Sequence, residues 1–264
     1  MDADATRVLL RTGHISVLGG LPDSSNHAAL VRVTAAPDEV FAVYKPIAGE
    51  RPLWDFPDGT LAGREIACAL IDEAGGWGIV PPTVLRDGPL GPGALQQWIG
   101  EPPRVSPSPV TVTTADEVPK GWWVVLEGEG EGGEPLVLAH ADTAVLRSIA
   151  VLDAVLNNSD RKGGHLLDWH DHTWGIDHGV SLHEEPKLRT VLWGWAGRPL
   201  VEGDITRLQA LAGALDDESL VAQLQPHLTS TEIDALTERV ERLLATRRHP
   251  MPSPGWPAIP WPAM

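Results

Sequence analysis

The chain has 264 residues, long enough for one large domain or two lobes around a sizeable core, and 42% of them are apolar, as in globular proteins. Its 36 acidic against 20 basic side chains give a formal charge of −16, which argues against coating nucleic acid or lying on an anionic membrane, since both need basic surface. A single cysteine, Cys68, excludes an internal disulfide, and with no apolar run of membrane-span length and no basic-then-apolar leader the expectation is a cytoplasmic protein without integral membrane association.

The first third reads as β-rich. Residues 13–20, 28–34 and 40–45 are short β-branched or alternating runs, and Leu21 to His27 is a polar hairpin-type connection. Leu61 to Ala74 has helical spacing and stops at Gly75-Gly76. Residues 79–80 and 83–85 around Pro81-Pro82, and then 93–99, read as strands. Residues 101–121 are rich in Pro, Ser and Thr and read as a connector, with Gly128 to Gly133 as a second flexible stretch. Asp142 is the expected N-cap of a helix through Leu156. Strands 165–167 and 173–176 flank the turn-like Asp168 to His172. Helices are predicted over 204–215, 217–225 and 230–247, the last opened by a Thr229/Glu232 capping box. A Pro/Trp-rich tail, 250–264, has no period and is expected along the surface. No internal repeat is present.

Two biases focus the search for chemistry. Only four of the 20 cationic residues are lysines (Lys45, Lys120, Lys162 and Lys187), and 24 prolines with 27 glycines imply many turns and short strands. Lys45 closes the run Val40 to Tyr44. Alone it is a surface lysine at a strand end; paired with Glu65 on the following helix it presents charge to a phosphate. The segment Asn157 to His165 follows a helix and precedes a strand, where the plain reading is a solvated turn. Ile176-Asp177-His178-Gly179 puts an acid at the end of an apolar strand, which by itself is an ordinary turn. Cys68 and most of the eleven tryptophans read as packing residues. In order, these pieces form one chemical set: charge for phosphates, a carboxylate to orient it, one Asp for an acceptor and one for a metal.

That set resembles the phosphatidylinositol 3- and 4-kinase branch of the kinase fold, most of all the type II lipid kinases and their bacterial relatives, and also an actinobacterial family of kinase-like proteins. The matching text is Val43-Tyr44-Lys45-Pro46, Gly63-Arg64-Glu65 with Ile79 to Thr83, Asn158-Ser159-Asp160-Arg161, and Ile176 to Gly179. It spans roughly residues 10–200. The resemblance implies an α+β, two-lobed kinase-like fold. A small antiparallel-sheet N-lobe would cover 1–100, a mainly helical C-lobe 101–249, and the tail 250–264.

It further implies an ATP- and divalent-metal-dependent phosphotransferase acting on an unidentified hydroxyl acceptor, a phosphoinositide or a protein among the candidates. Lys45 would contact nucleotide phosphates and Glu65 pair with it, with Ser24, Ser25 and Asn26 at a phosphate-loop tip. Gln97, Trp98 and Ile99 would meet adenine, with Leu167 and Ile176 beneath the base. Asp160 would be the acid/base residue, Arg161 its neighbour in the loop, and Asp177 the principal ligand of Mg²⁺ or Mn²⁺. One departure concerns the second metal position, where the family pattern has Asn and this chain has His165. Imidazole suits borderline transition metals better than Mg²⁺, so a Mn²⁺ preference, a His165 swung away and impaired catalysis all stay open.

Two other readings compete. A nucleotide-binding pseudokinase would keep the cleft and signal through a partner. A metal-dependent hydrolase would use the cluster His165, His170, His172, His178 and His183 with Asp168, Asp171 and Asp177, although no His-Glu-x-x-His signature supports it. A Ser-His-Asp hydrolase lacks the Gly-x-Ser-x-Gly elbow. In the segment from Val180 to Pro199, His183, Lys187, Arg189, Arg198, Trp193 and Trp195 either recognise an acceptor or pack internally. The acceptor and the choice between phosphoryl and nucleotidyl transfer stay open.

Overall fold

The structure, a computed structural model, describes residues 1–21, 26–102 and 106–264. It is a mixed α+β protein with antiparallel sheets and, among the described residues, six α-helices. None of these helices is long and apolar enough to cross a membrane.

The chain opens with a helix that the β-rich reading did not anticipate, α1 (Ala3–Thr12). The Asp2 carboxylate caps it by accepting from the Ala5 N–H at 2.8 Å, and Thr6, Leu9 and Leu10 form its buried stripe. Strands β1 (His14–Gly20), β2 (Ala29–Ala35) and β3 (Asp38–Pro46) follow, then β4 (Thr83–Gly88) and β5 (Gly91–Gln97). They form one antiparallel sheet in the order β1-β2-β3-β5-β4. Ile79 and Val80, expected as a strand, lie outside it; Pro81 and Pro82 cannot donate to a ladder.

Alternation along β3 sets the site. Ala42 and Tyr44 face the cluster that Leu9 and Leu10 of α1 complete. Lys45 therefore faces the other way, opposite Ala94 of β5. On that face lies α2 (Leu61–Gly75), whose Ala62 and Ile66 pack against Ala94. Thr60 caps α2 by accepting from Gly63 N–H at 2.9 Å. At the other end Gly76, at φ 71°, supplies the left-handed residue that ends the helix, and the Asp72 carboxylate accepts from the Ile79 N–H at 3.0 Å. The opposite side of α2 joins a second, larger cluster through Ala67, Cys68 and Ile71. Arg64 ties it there by an ion pair to Glu232 at 2.5 Å.

The larger cluster surrounds α3 (Ala144–Leu156), which is buried nearly all round, and includes α4 (Glu202–Asp216), α5 (Ser219–Leu224) and α6 (Ser230–Thr246). The cap of α3 is Thr143, one residue later than expected; Asp142 instead accepts from Trp195 Nε1 at 3.1 Å. The Thr229/Glu232 capping box of α6 is present. Residues 101–249 are less helical than expected. The connector contains β6 (Val110–Thr113), which joins β7 (Trp123–Glu129) and β8 (Pro135–His140) in a sheet ordered β6-β8-β7. The predicted hairpin is β9 (Leu166–Trp169) with β10 (His172–Gly175), turned by His170 and Asp171, both at positive φ.

Candidate functional site

Four segments meet at a cleft with about 790 Å³ of empty space. β3 brings Lys45, α2 brings Glu65, the loop after α3 brings Asp160, Lys162 and His165, and the turn after β10 brings Asp177. Asn26 lines the same cleft, whereas Ser24 and Ser25 lie outside the described residues.

Lys45 is the centre of the arrangement. Its ammonium donates to Glu65 Oε1 and, at 2.8 Å, to Asp177 Oδ1. Burial pulls the lysine pKa down, but the two carboxylates outweigh it and the group is held above its ordinary value. Asp177 is held well below the ordinary carboxylate range, chiefly by Lys45. Its side chain is 51% exposed, and its other oxygen lies 3.4 Å from His165 Nε2. Burial lowers the His165 pKa to about 4, so its imidazole is neutral near pH 7. Asp160, raised by burial, pairs with Lys162 at 3.1 Å.

The remaining expected residues lie elsewhere. Arg161 points away from the cleft into the core and is fully buried. Its Nε donates to Asp153 Oδ1 at 3.0 Å, one guanidinium nitrogen donates to Ile176 O at 2.9 Å, and the other lies 2.6 Å from His178 Nε2. Burial and Arg161 keep His178 well below its ordinary pKa, so the neutral ring accepts that bond. Arg161 thus positions the loop rather than touching a ligand in the cleft. Gln97, Trp98, Ile99, Leu167 and Ile176 do not line the cleft. The Trp98 N–H bonds Phe41 O at 2.9 Å, and that of Ile176 bonds His165 O at 2.9 Å, so both hold backbone in place.

Asn157, Asn158 and Ser159 are buried, unlike a solvated turn. The Asn157 amide nitrogen donates to His183 O at 2.9 Å, and its oxygen accepts from the Lys187 N–H at 2.8 Å. Asn158 Oδ1 accepts from the Asp160 N–H at 3.0 Å, which fixes the direction of Asp160. Of the cation-and-tryptophan segment, Lys187 and Trp195 pack internally, whereas Arg198 is exposed and Trp193 half-buried. Lys187 is buried, pairs with Asp55 at 3.2 Å and sits over Trp54, Phe56 and Trp256. Arg198 lies over Trp123 and Trp195 is buried. Of the eleven tryptophans, however, only Trp77 and Trp195 are buried, and Trp54 and Trp261 are largely exposed.

The histidines of the competing metal reading disperse. His172 Nε2 meets Gly78 O at 3.0 Å, His178 serves Arg161, and His183 packs edge-on against Phe56. Among the described residues no group of three or more His, Cys, Asp or Glu is arranged to hold a metal. Asp177 and His165, 3.4 Å apart, are the two side chains that would face a metal in this cleft. The donor set of one carboxylate and one neutral imidazole fits such a metal, and fits Mn²⁺ better than Mg²⁺. Glu65 Oε2, buried without a partner, leaves an acceptor free beside Lys45.

Three polar residues of the cleft, His27, Glu50 and Lys162, were not singled out as site residues from the sequence. Lys162 could have been, because lysines are scarce in this chain and it lies two residues from Asp160. Glu50 gave no signal: its carboxylate accepts the Leu61 and Ala62 N–H groups at 2.9 and 2.8 Å, adding a second cap to α2.

No family model matches the chain. A solved Helicobacter pylori structure, described as the proinflammatory kinase CtkA, overlaps 90% of this chain and 94% of that one at 11% identity and a TM-score of 0.46, too loose an overlay to transfer any property. Protein Rv2133c of Mycobacterium tuberculosis (strain ATCC 25618 / H37Rv) is 44% identical over 270 residues, covering 98% of this chain and 96% of its own length. The chain belongs to the family of that mycobacterial protein.

Proposed function

We propose that the protein is a metal-dependent, ATP-using phosphotransferase of kinase-like construction. One observation supports this above the others: Lys45, Glu65 and Asp177, distant in sequence, form a single charged chain beside Asp160 and Lys162 in one cleft. Transfer of a phosphoryl group demands placement and positive charge more than covalent work by the protein. Lys45, oriented by Glu65, supplies that charge to the nucleotide phosphates, and Lys162 supplies it from the opposite side. Asp177 and His165 would hold the divalent metal, which adds charge neutralisation on the phosphate oxygens.

Asp160 receives the proton of the acceptor hydroxyl as the hydroxyl oxygen bonds to the γ-phosphorus, and the bond from that phosphorus to the β–γ bridging oxygen breaks so that the nucleoside diphosphate leaves with that oxygen. Burial raises the Asp160 pKa, which suits it to take a proton. Arg161 and Asn158 keep Asp160 aimed from behind. The acceptor is a hydroxyl compound, and neither the charge of the chain nor the segment after Asp177, whose Lys187 packs internally, favours a bilayer headgroup over a soluble alcohol.

Calorimetry of ATP binding with Mg²⁺ and with Mn²⁺, on the wild type and on Asp177→Ala, tests the reading. Metal-dependent binding that is stronger with Mn²⁺ and lost in the variant is expected. No binding with either metal would overturn it.

A further inference from the structure

The Pro/Trp-rich segment 250–264 is seated rather than loose. The Ala258 carbonyl accepts from the Thr190 N–H at 3.1 Å and from Trp193 Nε1 at 2.8 Å. Pro260 and Ala263 are buried. The Ala263 carbonyl then accepts from the Gly163 N–H at 2.8 Å. Gly163 opens the short 3₁₀ turn Gly163–His165, so this tail bonds directly to the turn that carries His165.

The fit there is tight. A Cβ at Gly163 would lie 2.4 Å from Met264 Sδ and 3.1 Å from the Val110 Cβ. Gly163 does not occupy the left-handed region, so what a side chain there would meet is the end of Met264, which would have to move, and the Val110 Cβ, and not a backbone penalty. From the opposite side Ser108 Oγ donates to the Gly163 carbonyl at 2.7 Å. The turn is gripped between the tail and the chain entering β6. Thr190, which the tail engages at Ala258, also donates to Asp153 Oδ2 at 3.0 Å, and Asp153 is the carboxylate that holds Arg161. One segment therefore touches the Asp160–His165 loop at Gly163 and reaches Arg161 through Thr190 and Asp153.

We propose that residues 258–264 are a positioning strap: they fix the turn on which Lys162 and His165 stand, and so set where these two groups face Asp160 and Asp177. The strap touches no ligand. It acts as groups behind metal ligands generally do, by fixing orientation. Its consequence for nucleotide and metal rests on the reading given above, whereas its hold on the turn does not.

The test uses the full chain and reads two things: hydrogen exchange of the amides at 163–165, and Mn²⁺ affinity by electron paramagnetic resonance in the presence of ATP. Gly163→Ala drives a methyl into Met264, and Mn²⁺ affinity is expected to fall about tenfold, the size typical when a group behind a ligand is disturbed. Met264→Ala alone stays near wild type, and the double variant recovers part of the loss because the clashing sulfur has gone while the Val110 contact remains. In Ala263→Asp, exchange at 163–165 accelerates while α3 keeps its protection; if this variant fails to fold, the Gly163/Met264 pair carries the test. A double variant that recovers nothing, or unchanged exchange at 163–165 in a folded Ala263→Asp, would overturn the strap. Wild-type protein that binds no Mn²⁺–ATP would overturn the nucleotide reading instead, and the exchange pattern would still decide the strap.

Discussion

One short loop carries two ion networks that differ in every physical respect. Behind it, Arg161 and Asp153 are fully buried. Asp153 accepts from Thr190 at 3.0 Å and Asn158 at 3.2 Å besides Arg161, and the guanidinium reaches Ile176 O and His178 as well. In front, Asp177 is half exposed and shared between Lys45 and His165, and Glu65 keeps an oxygen without a partner. A buried network with nearly every group satisfied specifies a structure. A half-exposed one with spare acceptors and crowded cations is poised for something else to enter. The contrast teaches that adjacent residues can serve opposite sides of one loop, Asp160 lining the cleft and Arg161 holding the core behind it.

The comparison breaks most visibly at the rear. Arg161→Ala strands Asp153 as an unpaired buried charge and is expected to cost about 3–5 kcal/mol in urea unfolding. Arg161→Lys does not rescue it, because an ammonium cannot reproduce the guanidinium fork. A loss below about 1 kcal/mol would mean the rear network carries little of the stability.

Asp72 sharpens the point, being a buried acid served by N–H groups with no close guanidinium. Burial raises its pKa to about 6, against the pull of the Ile79, Val80 and Gly78 N–H groups and of Arg7. With the folded pKa above the unfolded one, its contribution is full below about pH 4 and is lost as pH rises through 6. Wild type should therefore lose about 2 kcal/mol relative to Asp72→Asn between pH 4 and pH 7. Parallel stability curves for the two proteins would refute this.

At the front the order of effects reverses. Asp177 sits at φ 59°, a conformation that Asn adopts readily, so Asp177→Asn isolates the charge. Stability in chemical denaturation should change by no more than about 1 kcal/mol, because exposure and salt screen the pairs. Metal-dependent ATP binding, by contrast, should disappear from calorimetry. Smallest of all on stability is Lys162→Met, expected within about 0.5 kcal/mol for a partly exposed pair, with a clear loss of ATP affinity. A large stability loss with unchanged ATP affinity in either variant would place that residue in the scaffold.

Much of this arrangement was legible in the residues. The spacing of α2, the Thr229/Glu232 box and the β9–β10 hairpin carry strong local signals, and the structure has all three. The sheet β6-β8-β7 was hidden because β6, although it alternates as Val-Thr-Val-Thr, is only four residues long inside a Pro/Ser/Thr-rich stretch, and β7 runs into Glu-Gly-Glu and is largely exposed. Helix α1 was missed although Asp2, Thr6, Leu9 and Leu10 hold a cap and a stripe, since the stripe is only one turn long. For the site, spacing grouped Lys45, Glu65, Asp160, His165 and Asp177, which line one cleft. Spacing could not say which way Arg161 turns, because side-chain direction follows from packing against Asp153. Nor could it reveal Glu50, whose partners are backbone groups of a helix eleven residues on.

Helix α2 is clamped at both ends. Glu50 and Thr60 grip its first N–H groups, and the Asp72 carboxylate ties its last turns to Ile79. Such a helix has little axial play, since sliding in either direction would strip N–H groups of their acceptors. Glu65 is thus already paired with Lys45 in this structure, and a ligand entering the cleft need not recruit it. The conformational entropy of bringing the pair together is spent during folding and not during binding.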